Sequence, residues 1–374
     1  MPHPFSAQVQ FHVKVLVLVN VQASVASGTS TCYNRSMNKI TRELLLDTLD
    51  RIHSVPILVT GDLILDRYIW GKVDRISPEA PVPVVEVTKT DERLGGAGNT
   101  VRNLSALGAK VQVSGTIGAD RDGEILLGLL RDIGAGHEGV VVDSSRPTVL
   151  KTRVIAQKQQ IVRIDREERG ECPESVSSSV AKALSDAIDS HRAVIVSDYG
   201  KGAVSRAVLD CVHGAYREGR LGLSIRPLFV DPHPYNYGNY RCMSVGKPNR
   251  KEAEVAAGRS IITSRDAFAA AQSLNERWNA EMMVVSLGED GMILKMAETT
   301  EGIHLKTTAK EVFDVSGAGD TVTAVFCAAL AAGASPSVAG VLSNIAAGIV
   351  VSEVGTVPID PVKLRAEISQ WEAI

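Results

Sequence analysis

The chain has 374 residues, 44% hydrophobic and 22% charged, with 32 Gly and 15 Pro, a mixture that excludes a disordered chain, a collagen-like repeat and a coiled coil. Lys and Arg (40) against Asp and Glu (43) leave a formal charge of −3, so no global positive field draws the chain to nucleic acid or to an acidic membrane surface. Five scattered cysteines with no C-x-x-C pair argue against a disulfide framework or a zinc site and fit a reducing, cytoplasmic setting.

Residues 1–36 stand apart from the rest of the chain. Their apolar stretch, 11–25, is interrupted by Lys14, Asn20 and Gln22, which makes it too short and too polar for the roughly 20 apolar residues of a membrane span. We read 1–36 as an extension upstream of a start at Met37, non-native or disordered, in preference to a cleaved signal or an accessory segment. An N-terminal helix comes next over 37–54, with Ile40, Leu44, Leu45 and Leu49 at helical spacing and Thr41 as its N-cap. One domain then occupies 55–374.

Short apolar runs at 55–60, 111–114, 193–197, 228–230 and 282–286 read as buried strands. Helical patterns at 99–107, 123–133, 176–188, 205–218 and 264–278 alternate with them. The alternation predicts an α/β fold with a mainly parallel central sheet covered on both faces, and a ligand site beyond the carboxyl ends of its strands. Two segments break the rhythm. Residues 81–88 carry two prolines and suit only an edge strand, and 148–165 read as two strands around a polar centre at 157–160. Neither is read as running into a helix. They predict a small β-sheet inserted as a lid, with segments at about 67–94 and 148–166.

The strongest chemical signal is Asp314-Val315-Ser316-Gly317-Ala318-Gly319-Asp320 ahead of an Ala-rich apolar helix. Glycines at a helix start let backbone amides converge on an anion, reinforced by the helix dipole. Asp320 in the first turn suits a base for an attacking hydroxyl at a phosphoryl site; a plain glycine turn with Asp as a helix-start residue fits the same letters. Gly95-Gly96-Ala97-Gly98-Asn99 opens another helix, but Val101 fills the sixth position of a dinucleotide fingerprint and no apolar strand precedes it. Close approach to a polyhydroxy ligand explains those glycines as well, with Asn99 donating and accepting. Asp62 and Asp66 lie past the first core strand, where carboxylates accept from sugar hydroxyls. Weaker candidates are Asn249-Arg250-Lys251-Glu252, with Glu252 organising magnesium through water, the turn Ser286-Leu287-Gly288-Glu289-Asp290-Gly291, and Asp198 with Lys201 at a further strand end. No P-loop, H-E-x-x-H, G-x-S-x-G or protein-kinase motif set is present in the sequence.

Together these motifs resemble the ribokinase-like (PfkB) carbohydrate kinases over about residues 55–360, with the glycine-rich stretch 95–108 and the 314–320 motif as the two signatures. The resemblance implies a three-layer α/β/α core with a β-lid, and ATP and magnesium as cofactors. It implies Asp320 as base with Gly317, Ala318 and Gly319 forming the anion hole. Asn249 and Glu252 match the family's N-x-x-E motif, and Ser286, Gly288 and Gly291 its nucleotide-side turn. Within the family, Arg75-Ile76-Ser77-Pro78-Glu79-Ala80-Pro81-Val82-Pro83-Val84, the 197–202 run and Lys151-x-Arg153 are similar to the D-glycero-β-D-manno-heptose 7-phosphate kinases. His233 stands where many of those have Lys. The expected reaction is phosphorylation of the anomeric hydroxyl of the heptose 7-phosphate, for ADP-heptose and lipopolysaccharide core synthesis. The sugar is expected on Asp62, Asp66, Gly95, Gly96, Asn99 and Asp198, and its phosphate on some of Arg75, Lys151, Arg153, Arg163 and Lys201. The nucleotide is expected on Asn249, Arg250, Lys251, Glu252, Ser286, Gly288 and Gly291. Without an H-x-G-H motif the chain is expected to act as the kinase alone, with separate phosphatase and adenylyltransferase enzymes, and as a homodimer through the apolar lid strand 82–87. The alternatives are another small-sugar kinase of the family and a catalytically silent sugar or nucleotide sensor on the same fold.

Overall fold

Strand 1 shows how the sequence builds the layers: Ile57 and Val59 join one core cluster while Leu58, between them, joins the other. That is the two-residue period of a strand buried on both faces. A computed structural model describes residues 40–371 apart from 158, 310–311 and 354; the expectations for 1–36 lie outside the described residues. In chain order the first half comprises α1 (Arg42–Ile52), β1 (Pro56–Gly61), β2 (Leu63–Ile76), β3 (Pro83–Gly96), α2 (Ala97–Ala106), β4 (Lys110–Gly118), α3 (Arg121–Asp132), β5 (Gly136–Asp143), β6 (Val149–Ala156) and β7 (Gln159–Arg166). Then come α4 (Glu174–Ala187), β8 (Ala193–Ser197), α5 (Arg206–Arg217), β9 (Leu228–Asp231), β10 (Met243–Gly246), α6 (Arg250–Ala257) and α7 (Ser264–Trp278). The chain continues through β11 (Ala280–Ser286), β12 (Met292–Met296), β13 (Ile303–Leu305), α8 (Ala318–Ala331), α9 (Pro336–Val350) and α10 (Pro361–Gln370).

The large sheet has the order β13-β12-β11-β10-β9-β8-β1-β4-β5, parallel from β5 to β11, with β12 and β13 antiparallel. Residues from α1, α2, α3, α8, α9 and α10 pack on one face, and residues from α4, α5, α6 and α7 on the other. Helix α8 is buried at every position from Asp320 to Ala331, as expected of a helix that is apolar all round. The fold is the expected three-layer α/β/α arrangement.

The second sheet, β3-β2-β6-β7, is small and mostly antiparallel, with β2 and β6 parallel. It differs from the sequence reading in one respect. Strand β3 has 14 residues and its last two, Gly95 and Gly96, lead directly into α2, so a strand does precede the glycine-rich helix. It was hidden because Glu86, Thr88, Lys89 and Thr90, which are exposed, and Asp91, Glu92 and Arg93, which are half-buried, break any apolar run.

Candidate active site

Strands β1, β8, β9, β10 and β11 end side by side, followed by Asp62, by Asp198 and Tyr199, by Asp231 (the last residue of β9), by Lys247 and by the 286–291 turn. The amino end of α8 comes to the same place. Gly317 caps α8 at φ 83°, and a Cβ there would lie 2.9 Å from Asn99 Nδ2 and from Thr356, so only glycine fits. In the first turn the amides of Gly319 and Asp320 have no helical acceptor, as at any helix start. Asp320 is buried. Asn99 Nδ2 donates to its Oδ2 at 2.7 Å and the Tyr199 hydroxyl to its Oδ1 at 2.5 Å. Burial pushes its pKa up to about 6 against these two donors; the Asp231 charge adds to the rise and Lys247 opposes it.

Lys247 is buried with its ammonium 3.0 Å from Asp231 Oδ2, and a Cβ on Gly319 would lie 3.5 Å from the Nζ. Burial alone would lower its pKa, but Asp231 and Glu252 overcome that and raise it, so a permanent cation faces the first turn of α8. Thr323 donates to Asp231 at 2.9 Å. Sequence reasoning missed Lys247, Asp231 and Tyr199; the apolar run ending just before Lys247-Pro248 was the available signal.

On the acceptor side, Asp66 is buried and pairs with Arg153 at 2.6 Å. Gly95 permits this, because a Cβ there would sit 2.3 Å from Asp66 Oδ2. Gly96 has φ 56°, and a Cβ there would lie 2.5 Å from the Asp62 carbonyl oxygen. The carboxylate of Asp62 accepts from the amides of Tyr199, Lys201 and Ala203 at 2.8, 3.0 and 2.9 Å. That of Asp198 accepts from Gly200 N, Asn236 and Tyr240. Burial raises both pKa values. Both groups therefore act as internal braces of the 198–203 loop.

That loop directs Lys201 to Glu167, 2.7 Å away, and Tyr199 beneath Lys151, whose ammonium is 5.7 Å from the ring centre. Gly200 lies against the His233 ring. Burial lowers the pKa of Lys151 and of His233. Lys151, Arg153 and Lys201 thus border one region. Arg75 comes nine residues after Asp66 along β2, a path of about 30 Å for an extended strand at about 3.3 Å per residue, near the far end of that 14-residue strand. Arg163 stands directly opposite Arg153 in the β6–β7 pairing and so flanks this region, but it is exposed and held by Asp165 at 3.0 Å.

On the other side Asn249 and Glu252 form a reciprocal capping box at the start of α6, and burial raises the Glu252 pKa. Arg250 reaches the Leu287 carbonyl and Asp290, tying α6 to the turn that holds Gly288 and Gly291. A Cβ on Gly291 would lie 2.0 Å from the Leu305 carbonyl. Ser286 N donates to the Pro248 carbonyl at 3.1 Å, while Lys251 is exposed.

The profile described as pfkB family carbohydrate kinase matches residues 56–363. The chain is 44% identical over 315 residues to the "Bifunctional protein HldE" of Desulfatibacillum aliphaticivorans, covering 84% of this chain and 63% of that protein. It is also 44% identical over 318 residues to the protein of the same name from Geotalea uraniireducens, covering 85% and 64%. It therefore spans a little under two thirds of these relatives' length. Arabidopsis thaliana ribokinase complexed with ribose and ATP superposes with a TM-score of 0.65 at 19% identity, covering 83% of this chain and 99% of that one. Escherichia coli phosphofructokinase-2 in complex with fructose-6-phosphate gives 0.65 at 20%, covering 84% and 99%. Among the described residues no helix is long and apolar enough to cross a membrane. The chain belongs to the pfkB family of carbohydrate kinases, ATP-using phosphotransferases that act on a sugar hydroxyl.

Proposed function

We propose that this chain phosphorylates the anomeric hydroxyl of D-glycero-β-D-manno-heptose 7-phosphate to the 1,7-bisphosphate, a step toward ADP-heptose and lipopolysaccharide core. The observation that carries the chemistry is Asp320, a buried carboxylate with a pKa of about 6 at the start of α8, beside a buried cation. A carboxylate so placed is ionised at neutral pH yet basic enough to take a proton from an attacking hydroxyl.

In the proposed reaction the sugar lies on Asp66, Gly95, Gly96 and Asn99, with Asp62 and Asp198 bracing the loop beneath it. Its phosphate meets Lys151, Arg153 and Lys201, with His233 close by. The sugar O–H bond breaks with its proton passing to Asp320, the oxygen bonds to the γ-phosphorus of ATP, and the bond to the bridging oxygen of ADP breaks. Amides of Gly317, Ala318, Gly319 and Asp320, with Lys247, neutralise charge on the transferring group. The nucleotide rests against Asn249, Arg250, Lys251 and the 286–291 turn. Magnesium, when bound, neutralises charge on the phosphate oxygens. The nearby donors, Glu252 and Asp231, are the hard oxygens that ion prefers, and Glu252 is assigned to it through water. Among the described residues no three His, Cys, Asp or Glu side chains cluster as a metal cage.

The exposed Ile76, Val82, Val87, Ile161, Val162 and Ile164 on the lid support a homodimer through that sheet. A phosphatase and an adenylyltransferase activity follow this step in the proposed pathway, in the cytoplasm. A second reading, a kinase for an unphosphorylated sugar, is favoured by the Lys201–Glu167 pair, which already neutralises one cation. The test is ADP release with heptose 7-phosphate, fructose 6-phosphate and ribose. Preference for the heptose supports the proposal, preference for ribose the second reading, and no release with any sugar a silent sensor.

A further inference from the structure

Tyr199 spans two parts of the site. Its hydroxyl donates to Oδ1 of Asp320 at 2.5 Å, and its ring faces the Lys151 ammonium at 5.7 Å. The loop that carries it is braced: its own amide and those of Lys201 and Ala203 donate to Asp62, and Gly200 N donates to Asp198. The hydroxyl is thus delivered to the carboxylate by backbone held on both sides.

We propose that Tyr199 is a positioning residue for the base, its hydroxyl fixing the orientation of the Asp320 carboxylate and favouring its ionised form at neutral pH. The inference rests on the reading of Asp320 as the base. Asn99 and Tyr199 each take one carboxylate oxygen, and each oxygen keeps a lone pair for the acceptor hydroxyl. Hydrogen bonds to the ionised form lower a carboxyl pKa, whereas burial raises it. The charged and polar groups around Asp320 are Asn99 and Arg102 on α2, Asp231 at the end of β9, and Lys247 after β10. Without Tyr199, burial and the Asp231 charge would be opposed only by Asn99 and the two cations.

The phenol keeps its proton, because burial first and the Asp320 charge second hold its pKa well above the ordinary tyrosine value. It is a donor throughout the cycle and not a proton relay. Lys151 over the ring face withdraws electron density and strengthens that donor.

The test is a titration of the full chain labelled with carboxyl-13C aspartate, the Asp320 signal being assigned by its loss in Asp320→Asn. Tyr199→Phe should raise the Asp320 midpoint by about one pH unit or more, the size of a lost charge-assisted hydrogen bond. An unchanged or lower midpoint overturns the proposal. If Tyr199→Phe does not fold, 3-fluorotyrosine at position 199, a stronger donor of nearly the same shape, should lower the midpoint; an unmoved signal overturns it equally. The titration needs no sugar, so a wrong substrate assignment leaves it intact. A failed shift alongside an inactive Asp320→Asn refutes the role of Tyr199 alone.

Discussion

Lys247 Nζ and Asp231 Oδ2 lie 3.0 Å apart where almost no water reaches the lysine, with Gly319 of α8 close to the same ammonium. Such a cation beside a helix start is worth most where charge develops during phosphoryl transfer. Lys247→Met should lower kcat by about 10²-fold or more. Stability should fall by about 3 kcal/mol, near the lower end for breaking a buried pair, because Asp231 keeps the Thr323 hydroxyl. Steady-state kinetics and denaturant melts measure the two effects separately.

The lid root depends on Gly95. A methyl group there would occupy the space of the Asp66 carboxylate and push it away from Arg153. Gly95→Ala should therefore raise the sugar KM at least tenfold, with the ATP KM little changed. A change confined to the ATP KM would contradict this assignment.

Asp320 also makes stability depend on pH. Its carboxyl is raised from the ordinary 3.8 to about 6 in the fold, so between those values the folded state binds more protons than the unfolded state. Stability then falls as pH rises through that window, and above it the ionised group costs of order 1–3 kcal/mol. Asp320→Asn removes the cost, since the amide can accept from Asn99 and donate to the Tyr199 oxygen. The variant should melt higher than wild type at pH 8, with the difference vanishing toward pH 4. Wild-type turnover should decline as pH falls through about 6, because the base is then protonated.

The parallel core was legible because its strands are buried on both faces and appear as unbroken apolar runs. Helix α8 was legible because glycines at its start and alanines along it leave few other readings. The lid strands were less so: Asp66, Arg67, Lys72, Asp74 and Arg75 interrupt β2, so its 14-residue length and the place of Arg75 near its far end were hidden. Tyr199 and Lys247 belong to no local pattern. Their meaning depends on partners 121 residues away for Tyr199 and on the adjacency of β9 and β10 for Lys247, which only the fold supplies. That Asp62 and Asp198 also brace the 198–203 loop is visible only in three dimensions.

The most direct measurement of the central claim follows 31P signals of ATP, heptose 7-phosphate and product, comparing wild type with Asp320→Asn. The account predicts a new anomeric phosphate signal with wild type, a kcat lower by about 10²–10⁴-fold in the variant, and little change in KM. Turnover by Asp320→Asn close to that of wild type would contradict it.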